Sequence, residues 1–191
     1  MHKWLLSLSI ALAGVLAVPT HAATLFTASL DGAQAGIATP GFGLADVTLS
    51  TDMSTLTVDV AFQDLIGHTT VAHIHCCSPS GASSGVALPF TNFPAGIQTG
   101  TYMQSFDLTL DATYSAGFLG ANGGTAAGAQ SAFISNMLSG LTYVNIHSDF
   151  APGGEIRGQL ASVPDPASLG LIGLGLIGLA VLRRVGRHRR S

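Results

Sequence analysis

Basic residues are nearly absent from the middle of this 191-residue chain: between Ala23 and Ser162 only Arg157 carries a fixed positive charge, against nine carboxylates. That stretch sits at about −8, a value hidden by a whole-chain charge of −3. A surface so poor in Lys and Arg cannot neutralise phosphates, which excludes nucleic acid as a partner. Cations and neutral or basic surfaces suit it better. Cysteine is also scarce. The only two, Cys76 and Cys77, are adjacent, so they cannot supply the long-range crosslinks that staple many small exported domains. No phosphate-binding loop is present, since Gly120-Ala121-Asn122-Gly123-Gly124 is not followed by the Lys-Ser/Thr pair such a loop needs. The carboxylates are scattered singly, without a pairing that suggests acid–base catalysis.

What is present begins at the ends. Lys3 precedes an uncharged apolar run, Leu5 to Val18, and Pro19-Thr20-His21-Ala22 supplies small residues for a signal peptidase, so residues 1–22 read as a signal peptide cleaved after Ala22. Near the other end, Pro164 and Pro166 break regular structure. Leu169 to Leu182 then contains only Leu, Ile, Val, Ala and Gly, and it stops at Arg183-Arg184 with Arg187, His188, Arg189 and Arg190 behind. Counted from Ala167, this segment is slightly short of the ~20 residues of a relaxed membrane span, a deficit that snorkelling arginines or local thinning can cover. The arginines should stay cytoplasmic, leaving everything before them outside. The expected organisation is a signal helix, one domain over 23–162, and an anchor over 163–191 that ties it to the inner membrane with the domain in the periplasm.

Pro164-Asp165-Pro166, the hydrophobic stretch and the Arg-rich end resemble the PEP-CTERM sorting signal. Asp165 stands where that family usually has Glu. The resemblance implies processing by an exosortase, a membrane transpeptidase-like enzyme of Gram-negative bacteria that make exopolysaccharide, and release to the cell surface or beyond once the tail is cut. Without processing, the same segment would be a plain membrane anchor.

Within 23–162 the hydrophobic period is mostly two, the mark of half-buried strands. Strands are expected over 24–30, 43–49, 55–62, 70–76, 104–110, 141–147 and 155–160. The Ala-rich stretch 125–138 favours a helix, capped by Thr125 and ended by Gly140. The fold class this implies is all-β, an antiparallel β-sandwich, superoxide-dismutase-like or Ig-like, with a short helical insertion.

Alternation places His73, His75 and Cys77 on one face of their strand, opposite Ala72, Ile74 and Cys76. Tyr143, Asn145 and His147 likewise oppose Val144 and Ile146, and Glu155, Arg157 and Gln159 oppose Ile156 and Leu160. Should these strands be neighbours, His73, His75 and His147 can converge on one Zn²⁺ or Cu²⁺ ion. Glu155 would then orient an imidazole from behind the ligands, and Arg157 would pair with Glu155, Asp149 or another nearby acid. His68 is a fourth ligand or a solvated turn residue. The alternative for all the histidines is structural, with the imidazoles satisfying loop carbonyls and holding the segment 78–100 in place. Cys76 and Cys77 are open to a vicinal or intermolecular disulfide, to free thiols, or to metal ligation, for which Cys77 has the better parity.

The same strands carry a second resemblance. Ala28-Ser29-Leu30-Asp31-Gly32-Ala33-Gln34, Val71-Ala72-His73-Ile74-His75, Tyr143-Val144-Asn145-Ile146-His147 and Pro152-Gly153-Gly154-Glu155-Ile156-Arg157-Gly158-Gln159-Leu160 follow the order of the CHRD domain, named from chordin. The resemblance implies a β-sandwich and assigns no activity. The leading functional expectation is a non-enzymatic surface or matrix protein that associates with exopolysaccharide or surface proteins, with Zn or Cu as the cofactor to be expected if the histidines bind metal. The alternative is a metal-dependent enzyme, because the His-x-His strand is similar to that of copper-zinc superoxide dismutases.

Overall fold

The structure, a computed structural model, describes residues 23–164. Alternation becomes strand wherever it is regular: β1 Thr24–Asp31, β2 Phe42–Leu49, β3 Thr55–Gln63 and β4 Thr69–Cys76 each bury every second side chain over most of their length. β5 Val86–Pro89, β6 Gly100–Asp107, β7 Thr142–Ser148, β8 Ile156–Gln159 and the two-residue β9 Ala161–Ser162 complete the set. Among the described residues three α-helices, α1 Gly32–Ala35, α2 Ala116–Ala121 and α3 Ala126–Leu138, and a 3₁₀ turn at Asp111–Thr113 interrupt them. The expected helix is α3, with Thr125 at its N-cap accepting from the Gly128 amide and Gly140 just past its end at φ +70°.

All strand pairings are antiparallel, and the order across the sheet is β5-β4-β7-β8-β1-β2-β3-β6, with β9 beside β1. The antiparallel, mostly β character matches the expectation. Two separate sheets do not form among the described strands: one hydrogen-bonded path runs through eight of them, β9 joins it at β1, and the sheet curls. The curl is visible in the core, where Val58 and Val60 of β3 and Ile74 and Val144 of β4 and β7 belong to one buried cluster although they come from opposite ends of that path.

The joint is the short β8–β1 contact, where Asp31 faces Arg157. Gly158 makes it possible, because a Cβ there would collide with the Ser29 carbonyl of β1. Any side chain at this position would push the two halves of the sheet apart.

One end of the core is sealed by α2 and α3. Ala126, Ala129, Phe133 and Met137 recur at three- and four-residue spacing on the buried side of α3, and Phe133 meets Tyr114 and Phe118 edge-on at ring separations of 6.3 Å. β5 and the start of β6 escaped the sequence reading, since Pro89, Gly100 and the exposed Met103 blur their alternation. Among the described residues no helix is long and apolar enough to cross a membrane. The expected signal helix, the hydrophobic segment, Asp165 and Pro166 lie outside the described residues, while Pro164 is described and exposed.

Because Phe133 is fully buried at this seal, Phe133→Ala should cost about 3–5 kcal/mol of unfolding free energy. Denaturant titration measures it as a lowered midpoint with an unchanged slope.

Candidate metal centre

β4 and β7 are direct neighbours, and their register sets His73 opposite Asn145 and His75 opposite Tyr143. Their core-facing residues, Ala72, Ile74, Val144 and Ile146, are fully buried, so the intervening side chains must leave from the other side of the sheet. His73, His75 and His147 meet there, each offering a nitrogen within 4.8 Å of the others. His73 Nδ1 lies 3.3 Å from His147 Nε2, matching the roughly 3.3 Å that separates two ligand atoms of a tetrahedral ion bound at ~2.0–2.1 Å. Bringing the third nitrogen to that spacing moves a ring by at most about 1.5 Å, within reach of side-chain rotation.

Two of the rings have their tautomers set by the backbone. His75 Nδ1 lies 2.9 Å from the Ser84 carbonyl, and His147 Nδ1 lies 2.8 Å from that of Pro152. A carbonyl only accepts, so both Nδ1 atoms carry the proton and both Nε2 atoms present a lone pair. His147 Nε2 receives the Asn145 amide at 3.3 Å as well as the His73 contact. His75 Nε2 is buried and has no hydrogen-bond partner among the described residues.

The electrostatics keep two of the rings, His73 and His75, neutral. Burial, then the nearby His147 and His75, lower the His73 pKa to about 4. Burial also lowers that of His75, with His147 and Arg157 adding to the effect and the Ser84 carbonyl opposing it. Near pH 7 both rings are therefore unprotonated and able to donate to a cation.

The other expected participants lie elsewhere. Cys76 and Cys77 are bonded to each other across a cis peptide, which removes Cys77 as a ligand. His68 is exposed and sits 3.4 Å from Asp149 Oδ2, apart from the cluster.

Glu155 does not orient an imidazole. Its parity argument fails because β8 begins only at Ile156, and the carboxylate is instead fully buried. It accepts from Thr39 Oγ1 at 2.7 Å, the Ile66 amide at 2.6 Å, the Gly67 amide at 3.1 Å and Ser148 Oγ at 2.5 Å. Arg157 is not in an ion pair among the described residues. Its three candidate acids are already occupied: Glu155 as above, Asp31 by Gln34, and Asp149 by the His68 amide and ring. Arg157 donates through Nε to the Gln34 carbonyl and through Nη1 to Ser83 Oγ, and its guanidinium lies over the Tyr143 ring at 5.0 Å.

Sequence reasoning missed Ser84 and Pro152, which act through carbonyls that any residue would carry. It also passed over Gly81-Ala82-Ser83-Ser84-Gly85, which has the Gly-x-Ser-x-Gly spacing of a nucleophile elbow. That string lies in the loop between β4 and β5, not on a strand-to-helix turn, so the elbow geometry is absent.

The CHRD domain family model matches residues 26–160, more than half of the chain, and the chain belongs to that family. The PEP-CTERM protein-sorting motif matches residues 162–184. The motif indicates an exported protein that passes through the periplasm to the cell surface and is recognised by an exosortase. No curated protein and no solved structure matches the chain.

The Glu155 knot gives a pH-dependent expectation. Burial raises its carboxyl pKa, but the hydrogen bonds from Ser148, Thr39, Ile66 and Gly67 outweigh burial and hold it below the usual 4.5. A depressed folded pKa means that the unfolded chain binds the proton more readily, so this stabilisation is present above about pH 4.5 and is lost as pH falls through the lowered value. Glu155→Gln should cost about 2–3 kcal/mol at neutral pH, because an amide cannot accept from every one of those donors. Thermal melts of both proteins from pH 7 downwards should show the gap narrowing in acid.

Proposed function

We propose that the chain is an exported, non-catalytic surface or matrix protein whose CHRD domain binds one divalent transition-metal ion, Zn²⁺ or Cu²⁺, through His73, His75 and His147. The observation that carries the metal reading is the buried His75 Nε2. Its proton has been sent to the other ring nitrogen, and its lone pair faces two further imidazoles with nothing else to accept. An unpaired buried acceptor is costly, and an ion shared by three neutral nitrogens removes that cost. The acidic surface supports the reading by concentrating cations near the site.

The domain sits first in the periplasm, anchored in the inner membrane by the C-terminal segment, and reaches the surface or its exopolysaccharide when an exosortase cuts the tail. His73 and His147 are only half-buried, which leaves the ion one open side. That favours a second reading, a dismutase-like surface enzyme. Superoxide turnover by the copper-loaded protein, abolished in His73→Ala, would decide for it.

Elemental analysis of the full chain should find about one Zn or Cu per molecule, and His75→Ala or His147→Ala should abolish it. Because the His73 pKa is lowered to about 4, protons compete poorly for that nitrogen at neutral pH. Metal should therefore be held at pH 7 and lost in acid as the imidazoles protonate. A metal-free wild type after incubation with either ion at neutral pH would refute the site.

The sorting reading has its own check. In an exosortase-bearing host, mass spectrometry should find the surface form trimmed near Pro164-Asp165-Pro166, and Asp165→Glu should be processed at an equal or faster rate. A chain that stays intact in the inner membrane would show the tail to be an anchor only.

A further inference from the structure

Resting on the metal reading, we propose that Tyr143 is a positioning residue for the ligand His75, acting through the peptide of Ser84. Tyr143 and His75 are cross-strand partners, and their rings stack at 4.8 Å with only 6° between planes. Stacking of this kind fixes the plane of the imidazole but leaves open which nitrogen is protonated. Ser84 settles that point. Its N–H donates to Tyr143 Oη at 3.1 Å, while its own carbonyl accepts from His75 Nδ1 at 2.9 Å. The tyrosine hydroxyl thus accepts from the Ser84 amide and also reaches the Ser84 carbonyl at 3.5 Å, the same oxygen that accepts from the imidazole.

The hydroxyl therefore selects the tautomer of a ring it does not itself hydrogen-bond. Arg157 braces the arrangement from β8, with its guanidinium over the Tyr143 ring and Nη1 on Ser83, the residue before Ser84. Without the hydroxyl, the Ser84 amide loses its partner and the carbonyl is free to drift from Nδ1. The proton can then occupy Nε2, the nitrogen that must be bare to ligate. Groups that orient a metal-bound histidine in this way typically change affinity by about 10- to 100-fold. His73 and His147 remain in place, so binding should weaken rather than vanish.

The test is Tyr143→Phe in the full chain, read in two ways. Long-range ¹⁵N–¹H spectra of the metal-free protein report the His75 tautomer, and a competition titration with Zn²⁺ reports Kd. The wild type should show Nδ1–H alone. Tyr143→Phe should show both tautomers and a Kd raised about 10-fold, at a melting temperature that excludes general unfolding. A purely structural tyrosine would lower the melting temperature and leave tautomer and Kd as they were, which overturns the proposal. Should Tyr143→Phe fail to fold, Arg157→Gln takes its place, stripping the cation from the ring while leaving the hydroxyl. Because the Arg157 charge also opposes a cation at His75, Arg157→Lys is measured beside it, keeping the charge but not the planar fork over the ring and on Ser83. Arg157→Lys should raise Kd a few-fold, and an unchanged Kd overturns the proposal. If the wild type takes up no Zn²⁺, the metal reading fails and this proposal with it. If Zn²⁺ binds wild type and Tyr143→Phe equally well with one tautomer in both, only the role of Tyr143 fails.

Discussion

The buried carboxylate of Glu155 is the contact on which the rest of the arrangement depends. Its four donors come from three separate places: Thr39 before β2, Ile66 and Gly67 in the turn between β3 and β4, and Ser148 at the end of β7. It therefore fixes where β4 starts relative to where β7 stops. A one-residue slip in that register would turn every second side chain to the other face and send His73 and His147 to different sides of the sheet. Ser148 extends the knot by accepting from the Ala151 amide at 3.1 Å, which anchors the loop whose next residue, Pro152, sets the tautomer of His147.

Gly154 and Gly158 do the complementary steric work. At Gly154 the backbone takes φ +115°, and a Cβ would run into the Asn145 carboxamide. That carboxamide donates to both the Gly153 carbonyl and His147 Nε2. Within Gly153-Gly154-Glu155-Ile156-Arg157-Gly158, Glu155 ties the segments together, and Gly154 and Gly158 let them approach. The same few positions shape the sheet and the histidine face at once.

Much of this could be read from the sequence, and what could not has a common cause. Side-chain parity is local, so alternation in Val71-Ala72-His73-Ile74-His75 and Tyr143-Val144-Asn145-Ile146-His147 was enough to place three histidines on outward faces. Their meeting required only that β4 and β7 be neighbours. Parity fails where a strand has not yet begun, which is why Glu155 was assigned to the wrong face. It is also silent about loops: the carbonyls of Ser84 and Pro152 carry no residue-type signature, and Pro89 and Gly100 disguise the strands they belong to. Arg157 was misread for a different reason. Charge balance suggested an acid partner, but hydrogen bonds from amides and hydroxyls had already occupied the nearest carboxylates, leaving the guanidinium for an aromatic ring and a helix carbonyl.

The structural and metal-binding readings of the histidines, which looked like rivals in the sequence, share one set of contacts. A carbonyl that accepts from Nδ1 pins a loop over the sheet, and by the same bond it bares Nε2. Holding the loop at Ser84 therefore costs His75 a buried, unpaired lone pair, a penalty of about 1–3 kcal/mol that a purely structural histidine could avoid by taking the other tautomer with a donor nearby. His147 pays no such penalty in the metal-free state, because Asn145 and His73 approach its Nε2. The asymmetry between the two rings makes His75 the residue on which the proposed metal reading turns.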